Sequence, residues 1–508
     1  MSQNMAFKKI LFLLSLCLCS ATIIHSELEV LECLNVPTPE FVGSVKATIG
    51  TIQQVSSVLS GFAGVTDDFR LSNAVQNCQD LVDTSVDELS WVVSASLNRN
   101  SKENGTGNMN SDMKTWLSGA LIDQETCKEA FRGINGTVTN IISSTLDKIG
   151  STLRDLLLMV KPTPVPTPDT GGGGKKPKTN DKFPIWLSPR NQNILNSTNT
   201  AVDAVVAKDG TGNFSTIGDA IAAAPEYSSK RYVIHIKRGV YYEYVTINKK
   251  KWNITIIGDG MDATVISGNH NWEDGWKTNN SATFAVKGKG FFARDITFEN
   301  TAGPQKKQAV AFMSESDESV LYHCAFRGFQ DTLYPHKNRQ FYKECHITGT
   351  VDFIFGHAAV VFQNCQITAR KGIAGQNNTI TAQGRYDPGE DSAFSLQNCN
   401  ITVEQDVLNL NTAYLGRPWK SYSRTVVMQS YIGPGIRPKG WLEWNGTLYL
   451  DSLYYGEYMN YGPGAGLAAR VKWPGYHIFN DSTQADPFNV PRLIAGDKWI
   501  PATGIPYT

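Results

Sequence analysis

Charge of one sign is what this chain most plainly lacks. Its 508 residues carry 47 lysines and arginines against 47 aspartates and glutamates, a formal net charge of zero. No basic stripe runs along it, which argues against nucleic acid as a partner. Long apolar runs are equally scarce. The stretch from Ile10 to Leu18, behind Lys8 and Lys9 and ahead of Ser20 and Ala21, is too short to span a bilayer. It reads as a secretory signal peptide over residues 1–26, with a signal anchor as the alternative, and no membrane partner is expected. The mature chain is then expected outside the cell in an oxidising compartment, which sequons from Asn104 to Asn480 fit. Two further absences exclude chemistry. No His/Cys/Asp cluster has metal-ligand spacing, so neither metal nor other cofactor is expected. No Gly-x-Ser-x-Gly elbow marks a serine esterase. His323, His336, His346 and His357 stand alone and read as structural or surface groups.

What is present divides into parts, as the length demands. Residues 27–160 hold 9 basic and 17 acidic side chains, residues 161–200 hold 6 and 2, and residues 201–508 hold 30 and 28. The acidic first part either docks electrostatically on the rest or is a separately soluble domain with its own solvated face. From Phe41 to Val160 apolar residues recur at three- and four-residue steps. Phe41, Val45, Ile49, Ile52 and Val55 make one stripe; Leu71, Val75, Cys78, Val82 and Val86 make a second; Met113, Trp116, Leu117 and Leu121 a third; Val138, Ile142, Leu146 and Ile149 a fourth. Amphipathic helices sharing one core, a four-helix bundle over 27–160, is the expected fold. Pro162, Pro164, Pro166 and Pro168 alternate, then Gly171 to Gly174 and Lys175-Lys176-Pro177-Lys178 follow. That composition predicts an extended linker over 161–199, open to proteolysis near Arg190.

From about residue 200 to 508 the pattern becomes short β-rich segments without helical crossovers, such as Asn253 to Gly258 and Ala293 to Asn300. Cys324, Cys345 and Cys365 are spaced by 21 and 20 residues, and Gln363-Asn364-Cys365 and Gln397-Asn398-Cys399 repeat one theme. This periodicity predicts a solenoid of parallel strands, a β-helix. Stacked coils bring Cys345 and Cys365 within disulfide reach, or leave them as thiols filling the core. Seven cysteines remain once Cys17 and Cys19 leave with the signal, so at least one stays unpaired within the chain. Asp331 and Asp352 each lie seven residues after their cysteine. On neighbouring coils roughly 4.8 Å apart the two carboxyls cannot both ionise easily, so one pKa should rise while the other stays low. The alternative is two unrelated strand-end carboxylates.

Five ordered motifs carry a resemblance from about Asp203 to Tyr507: Gly239-Val240-Tyr241-Tyr242-Glu243, Gln308-Ala309-Val310-Ala311, Gly328-Phe329-Gln330-Asp331-Thr332-Leu333-Tyr334, Asp352-Phe353-Ile354-Phe355-Gly356 and Leu415-Gly416-Arg417-Pro418-Trp419. The region resembles the plant pectin methylesterases. That resemblance implies a right-handed parallel β-helix, hydrolysis of methyl esters of homogalacturonan in the plant cell wall, and release of methanol. It implies Asp352 as nucleophile, Asp331 as acid/base, Gln308 and Gln330 as oxyanion donors, and Arg417 as the group holding the nucleophile. It also places Thr283 and Trp419 in the substrate groove. Tyr334, Phe355 and Trp441 are candidates for stacking on sugar rings, or for packing. Phe329 stands where the motif usually has tyrosine. The segment from about 30 to 160 looks like the inhibitor domain that precedes many such enzymes. This likeness implies a bridge between Cys78 and Cys127, and makes the domain an inhibitor, with separate inhibitor proteins as further partners, or a folding and export aid. A second N-terminal bridge cannot form because Cys33 is alone, and the processing motif keeps one arginine, Arg190.

Two rival readings remain. A pectin depolymerase on the same β-helix could use paired aspartates, although the glutamine pair and arginine suit acyl transfer better. A non-catalytic pectin-binding or inhibitor protein would not need Asp331, Asp352, Gln308, Gln330 and Arg417 intact.

Overall fold

The structure is a computed structural model and describes residues 38–62, 69–98, 104–134, 137–160, 202–410 and 412–508. The expected signal peptide, Cys33, the linker and Arg190 lie outside the described residues. Four helices come first: α1 (Pro39–Ser60), α2 (Phe69–Leu97), α3 (Met109–Ala130) and α4 (Thr137–Met159). Thr38 caps α1 by accepting from the Phe41 amide, and Asn108 caps α3 by accepting from Ser111, as polar N-cap residues do for the orphan amides of a first turn. Each helix turns one apolar stripe inward; Phe41, Val45, Ile52, Val55 and Leu59 bury the face of α1 against a core that includes Leu81, Leu117 and Leu153. α1 and α3 each pack on both α2 and α4, closing the expected four-helix bundle. A disulfide between Cys78 and Cys127 joins α2 to α3.

The rest is the expected β-helix. Three parallel sheets of 11, 7 and 8 strands run the length of the solenoid, and successive coils add strands to them in order. Phe298, Phe312 and Phe326 point inward from successive positions, with Phe298 and Phe312 ring centroids 4.8 Å apart. One corner of each coil needs a left-handed residue. His323, Glu344, Asn364 and Asn398 all have φ between 52° and 56° there, and each is followed by an inward cysteine. Asparagine accepts that backbone with least strain.

The stacked cysteines correct one expectation. Cys324, Cys345, Cys365 and Cys399 are buried free thiols, so Cys345 and Cys365 form no bridge. In-register coils direct their side chains in parallel, one above the other, instead of towards each other. Each sulfur then finds a carbonyl: Cys345 donates to Leu321 at 3.3 Å and Cys365 to Tyr342 at 3.5 Å.

The bundle docks on the β-helix through α2 and α3. Trp91 meets Trp252 edge-on at 5.9 Å. Lysines and arginines of the solenoid meet acids of the bundle: Lys337 pairs with Glu88 at 2.8 Å and Asp123 at 2.7 Å, Arg339 with Asp112 at 2.6 Å, Lys287 with Asp80 at 3.0 Å and Lys249 with Asp87 at 2.7 Å. The uneven charge of the sequence is thus matched across a contact.

Replacing Cys78 and Cys127 together by alanine opens a loop closed across 49 residues. The bundle is expected to lose about 2–4 kcal/mol of unfolding free energy, read as an earlier urea transition in the helical signal while the strand signal is unmoved.

Candidate active site

The seven-stranded sheet places the chemistry. Gln308 precedes strand Phe312–Ser314, Gln330 and Asp331 precede Leu333–Pro335, Asp352 precedes Ile354–Gly356, and Arg417 follows Ala413–Gly416. The backbone links these positions coil to coil: Ala309 donates to the Gln330 carbonyl at 3.2 Å and Asp331 to Val351 at 3.1 Å. All five side chains line one cavity of about 450 Å³, together with Tyr334, Phe355, Trp419 and Trp444. Asp331 and Asp352 both adopt left-handed backbone, with φ of 64° and 50°. Such strain is held only where surrounding structure over-determines it, and it tips both carboxyls into the cavity wall.

The two aspartates differ in their partners. Arg417 grips Asp352 with a fork, Nε to Oδ1 at 2.8 Å and a terminal nitrogen to Oδ2 at 2.7 Å. The Thr379 hydroxyl accepts from the Asp352 amide at 2.9 Å and donates to its carboxylate at 2.6 Å. Paired donors of this kind hold both carboxylate oxygens in place. Asp331 is buried, and burial pushes its carboxyl well above the usual range; the Asp352 charge adds to this and Arg417 opposes it. The two stacked carboxyls therefore stand in unlike surroundings, Asp352 gripped by Arg417 and Asp331 without such a partner. Gln308 has its Oε1 buried with no partner among the described residues.

Several expected groove residues sit differently from one another. Tyr334 and Phe355 stack at 4.1 Å and 16° and both border the cavity, with Trp419 edge-on to Phe355 at 5.8 Å. Trp441 is not in the groove. It is fully buried in the core, where its indole donates to Glu457 at 3.2 Å, because its strand-end position faces inward. Thr283 is also fully buried, donates its hydroxyl to the Glu299 carbonyl at 2.9 Å, and is not among the residues that line the cavity. Phe329 takes the Arg370 guanidinium over its face at 4.4 Å, a contact that needs no hydroxyl. Three groups were missed by sequence reasoning. Trp444 lies against the other side of Arg417, 4.4 Å from ring centre to guanidinium. Trp272 and Lys277 border the far end of the cavity, where the Trp272 amide donates to the Gln308 carbonyl at 2.9 Å. These three stand outside the periodic strands and quoted motifs, so no local signal separates them from other loop residues.

The bundle covers this site. Asn77, Thr126, Glu129, Ala130 and Arg132 line the same cavity as Asp331 and Asp352.

Comparison with known proteins agrees with this architecture. Residues 203–497 match the pectinesterase family, and residues 41–157 match the plant invertase/pectin methylesterase inhibitor family. A pectinesterase/pectinesterase inhibitor of Prunus persica is 56% identical over 481 residues, covering 94% of this chain and 90% of its own. A probable pectinesterase/pectinesterase inhibitor of Arabidopsis thaliana is 54% identical over 508 residues, covering 98% and 96%. Among solved structures, pectin methylesterase from carrot superposes with a TM-score of 0.60 at 50% identity, over 61% of this chain and 98% of its own. With its paired aspartates, glutamines and arginine on one sheet of a parallel β-helix and an inhibitor-type bundle across them, the chain belongs to the pectinesterase family.

Proposed function

We propose that this protein is a pectinesterase that hydrolyses methyl esters of homogalacturonan, giving methanol and free carboxylates, and that its bundle restrains it. The single observation behind this reading is the pair of unlike aspartates, Asp352 forked by Arg417 beside a buried Asp331 without such a partner, in one cavity with two glutamine side chains. A carboxylate oxygen of Asp352 attacks the ester carbonyl carbon. Gln308 and Gln330 donate amide N–H groups to the developing oxyanion, as preorganised neutral donors can without collapsing onto the aspartates. Asp331 gives its proton to the departing methanol, leaving an acyl-enzyme on Asp352. Asp331, now ionised, takes a proton from the water that attacks the acyl carbon, and Asp352 leaves as carboxylate. Tyr334, Phe355 and Trp419 offer aromatic faces to the sugar rings. A leader over residues 1–26, a linker over 161–199 and export to the plant cell wall complete the reading. No described helix is long and apolar enough to cross a membrane.

A second part of the reading rests on the bundle's position. A polymer cannot reach Asp352 while α3 stands over the cavity, so the docked chain is a restrained form. Lys337, fully buried, holds the bundle by Glu88 and Asp123. Burial pushes both carboxyls up, because Lys337 alone cannot neutralise them together with Glu315. Glu315 is held down to about 2 by Lys287, His336 and Lys337, all on the β-helix, and so keeps its charge with or without the bundle.

Four outcomes are expected. Asp352→Asn should lower methanol release by about 10⁴-fold or more, and ordinary turnover by this variant would sink the assignment. Asp331→Asn should be inactive yet more stable than the parent at neutral pH. The native Asp331 stays protonated where the unfolded chain ionises, so parental stability falls as pH rises above the ordinary 3.8, and melting temperatures should coincide near about pH 3 and separate towards about pH 7. Lys337→Met strands two buried carboxyls and should weaken docking by about 3–5 kcal/mol, raising methanol release by the full chain towards that of residues 202–508. Because the raised pKa values of Glu88 and Asp123 mean that docking takes up protons, the unmutated full chain should also gain activity relative to 202–508 from about pH 4 to about pH 7. A ratio that stays flat, or falls, would count against restraint by these carboxyls.

A further inference from the structure

Glu129, near the end of α3, extends past Trp419. Its carboxylate pairs with Lys420 Nζ and accepts a hydrogen bond from the Tyr386 hydroxyl at 3.0 Å. Lys420 Nζ rides over two aromatic faces, 4.6 Å from the Tyr386 ring centre and 4.8 Å from that of Trp419. Tyr386 is held from behind by His357, stacked at 5.1 Å and 8°. The His357 ring donates from Nδ1 to the Gly384 carbonyl, and burial keeps it neutral, so Lys420 is the cation that faces Glu129.

The place of this contact matters as much as its chemistry. Glu129 lines both the catalytic cavity and an adjoining one of about 440 Å³ bounded on the β-helix side by Tyr386, Lys420, Ser421 and Tyr449. The two cavities meet at Glu129 and Arg132, and on the β-helix side Trp419 of the first is followed by Lys420 and Tyr386 of the second. The acidic side chains lining that second cavity, Glu125 and Glu129, both belong to the bundle. When the bundle is away, the solenoid presents Lys420 without its anion.

We propose that Lys420 and Tyr386 form a subsite for the free carboxylate of a de-esterified galacturonate unit, and that Glu129 occupies it as a stand-in in the docked chain. The proposal rests on the pectinesterase reading for its substrate. A uronate offers what Glu129 offers, a planar anion able to pair with an ammonium and accept from a hydroxyl, on a pyranose ring whose apolar face suits Trp419. A methyl ester at this position is neutral and leaves Lys420 without a counter-charge. The enzyme then favours an ester that has a free acid on its Trp419 side.

Residues 202–508 can be tested alone, since the β-helix has its own core and the carrot chain is matched over 98% of its length by 61% of this one. Binding of a fully de-esterified galacturonate oligomer is measured by calorimetry for the parent, Lys420→Met, Lys420→Arg and Tyr386→Phe. The dissociation constant should rise about tenfold in Lys420→Met, recover in Lys420→Arg, and rise less in Tyr386→Phe, which serves alone if Lys420→Met does not fold. The ratio of kcat/KM on half-esterified to fully methylated pectin should fall by about the same factor in Lys420→Met. Unchanged oligomer affinity, or equal losses on both substrates, would overturn the subsite. Calorimetry needs no ester, so a parent that releases no methanol would defeat the esterase reading while the binding series still decides this one.

Discussion

Parallel strands of successive coils pair residue for residue, as from Arg339↔Ala359 to Lys343↔Gln363, and this register carries the rest of the molecule. A side chain placed at one level of a coil is repeated above and below, so like lies over like. Cysteines stack as a column of thiols, phenylalanines as a column of rings, and two aspartates as neighbours on a third column. Stacked apolar side chains gain from the arrangement by burial. Stacked carboxyls lose, and the loss is resolved by breaking their symmetry. Arg417 reaches Asp352 from a more distant coil, and Asp331 is left to keep a proton. Two unlike carboxyls thus arise from one residue type by a difference in partners, with no difference in backbone setting.

The same logic extends to the contact between domains. Lys337, Arg339, Lys287 and Lys249 would be an unremarkable set of cations on a solenoid surface; the bundle matches them with acids and removes several of the pairs from water. Buried pairs of this kind contribute little net stability while making the wrong docking expensive. They fix where α3 lies, and hence that Thr126 and Glu129 come down on the cavity rather than beside it. The Lys337 cluster holds more carboxyl groups than one ammonium can balance, so the fit is sensitive to protons in a way that the aromatic contact between Trp91 and Trp252 is not.

Much of this was legible in the residues. Three-and-four spacing of apolar side chains from Phe41 to Val160 is a local property of helices, and the cysteine period near twenty is a local property of coils, so both folds could be read without contacts. The spacing of Asp331 and Asp352 from their cysteines was likewise enough to stack them and to expect unlike pKa values. Family likeness supplied Gln308, Gln330 and Arg417, which the cavity gathers. What spacing could not convey was direction. Trp441 is packed in the core and Thr283 is buried on the Glu299 carbonyl, and Cys345 and Cys365 stand close without facing each other. The sequence by itself determined the two folds, the acidic first part beside a near-neutral second and the chemical cast of the site, because those follow from periodicity and residue type. Only the tertiary structure decided that Asp331 is buried, that Trp444 backs Arg417, and that Glu129 lies on Lys420, because each depends on residues brought together from distant parts of the chain.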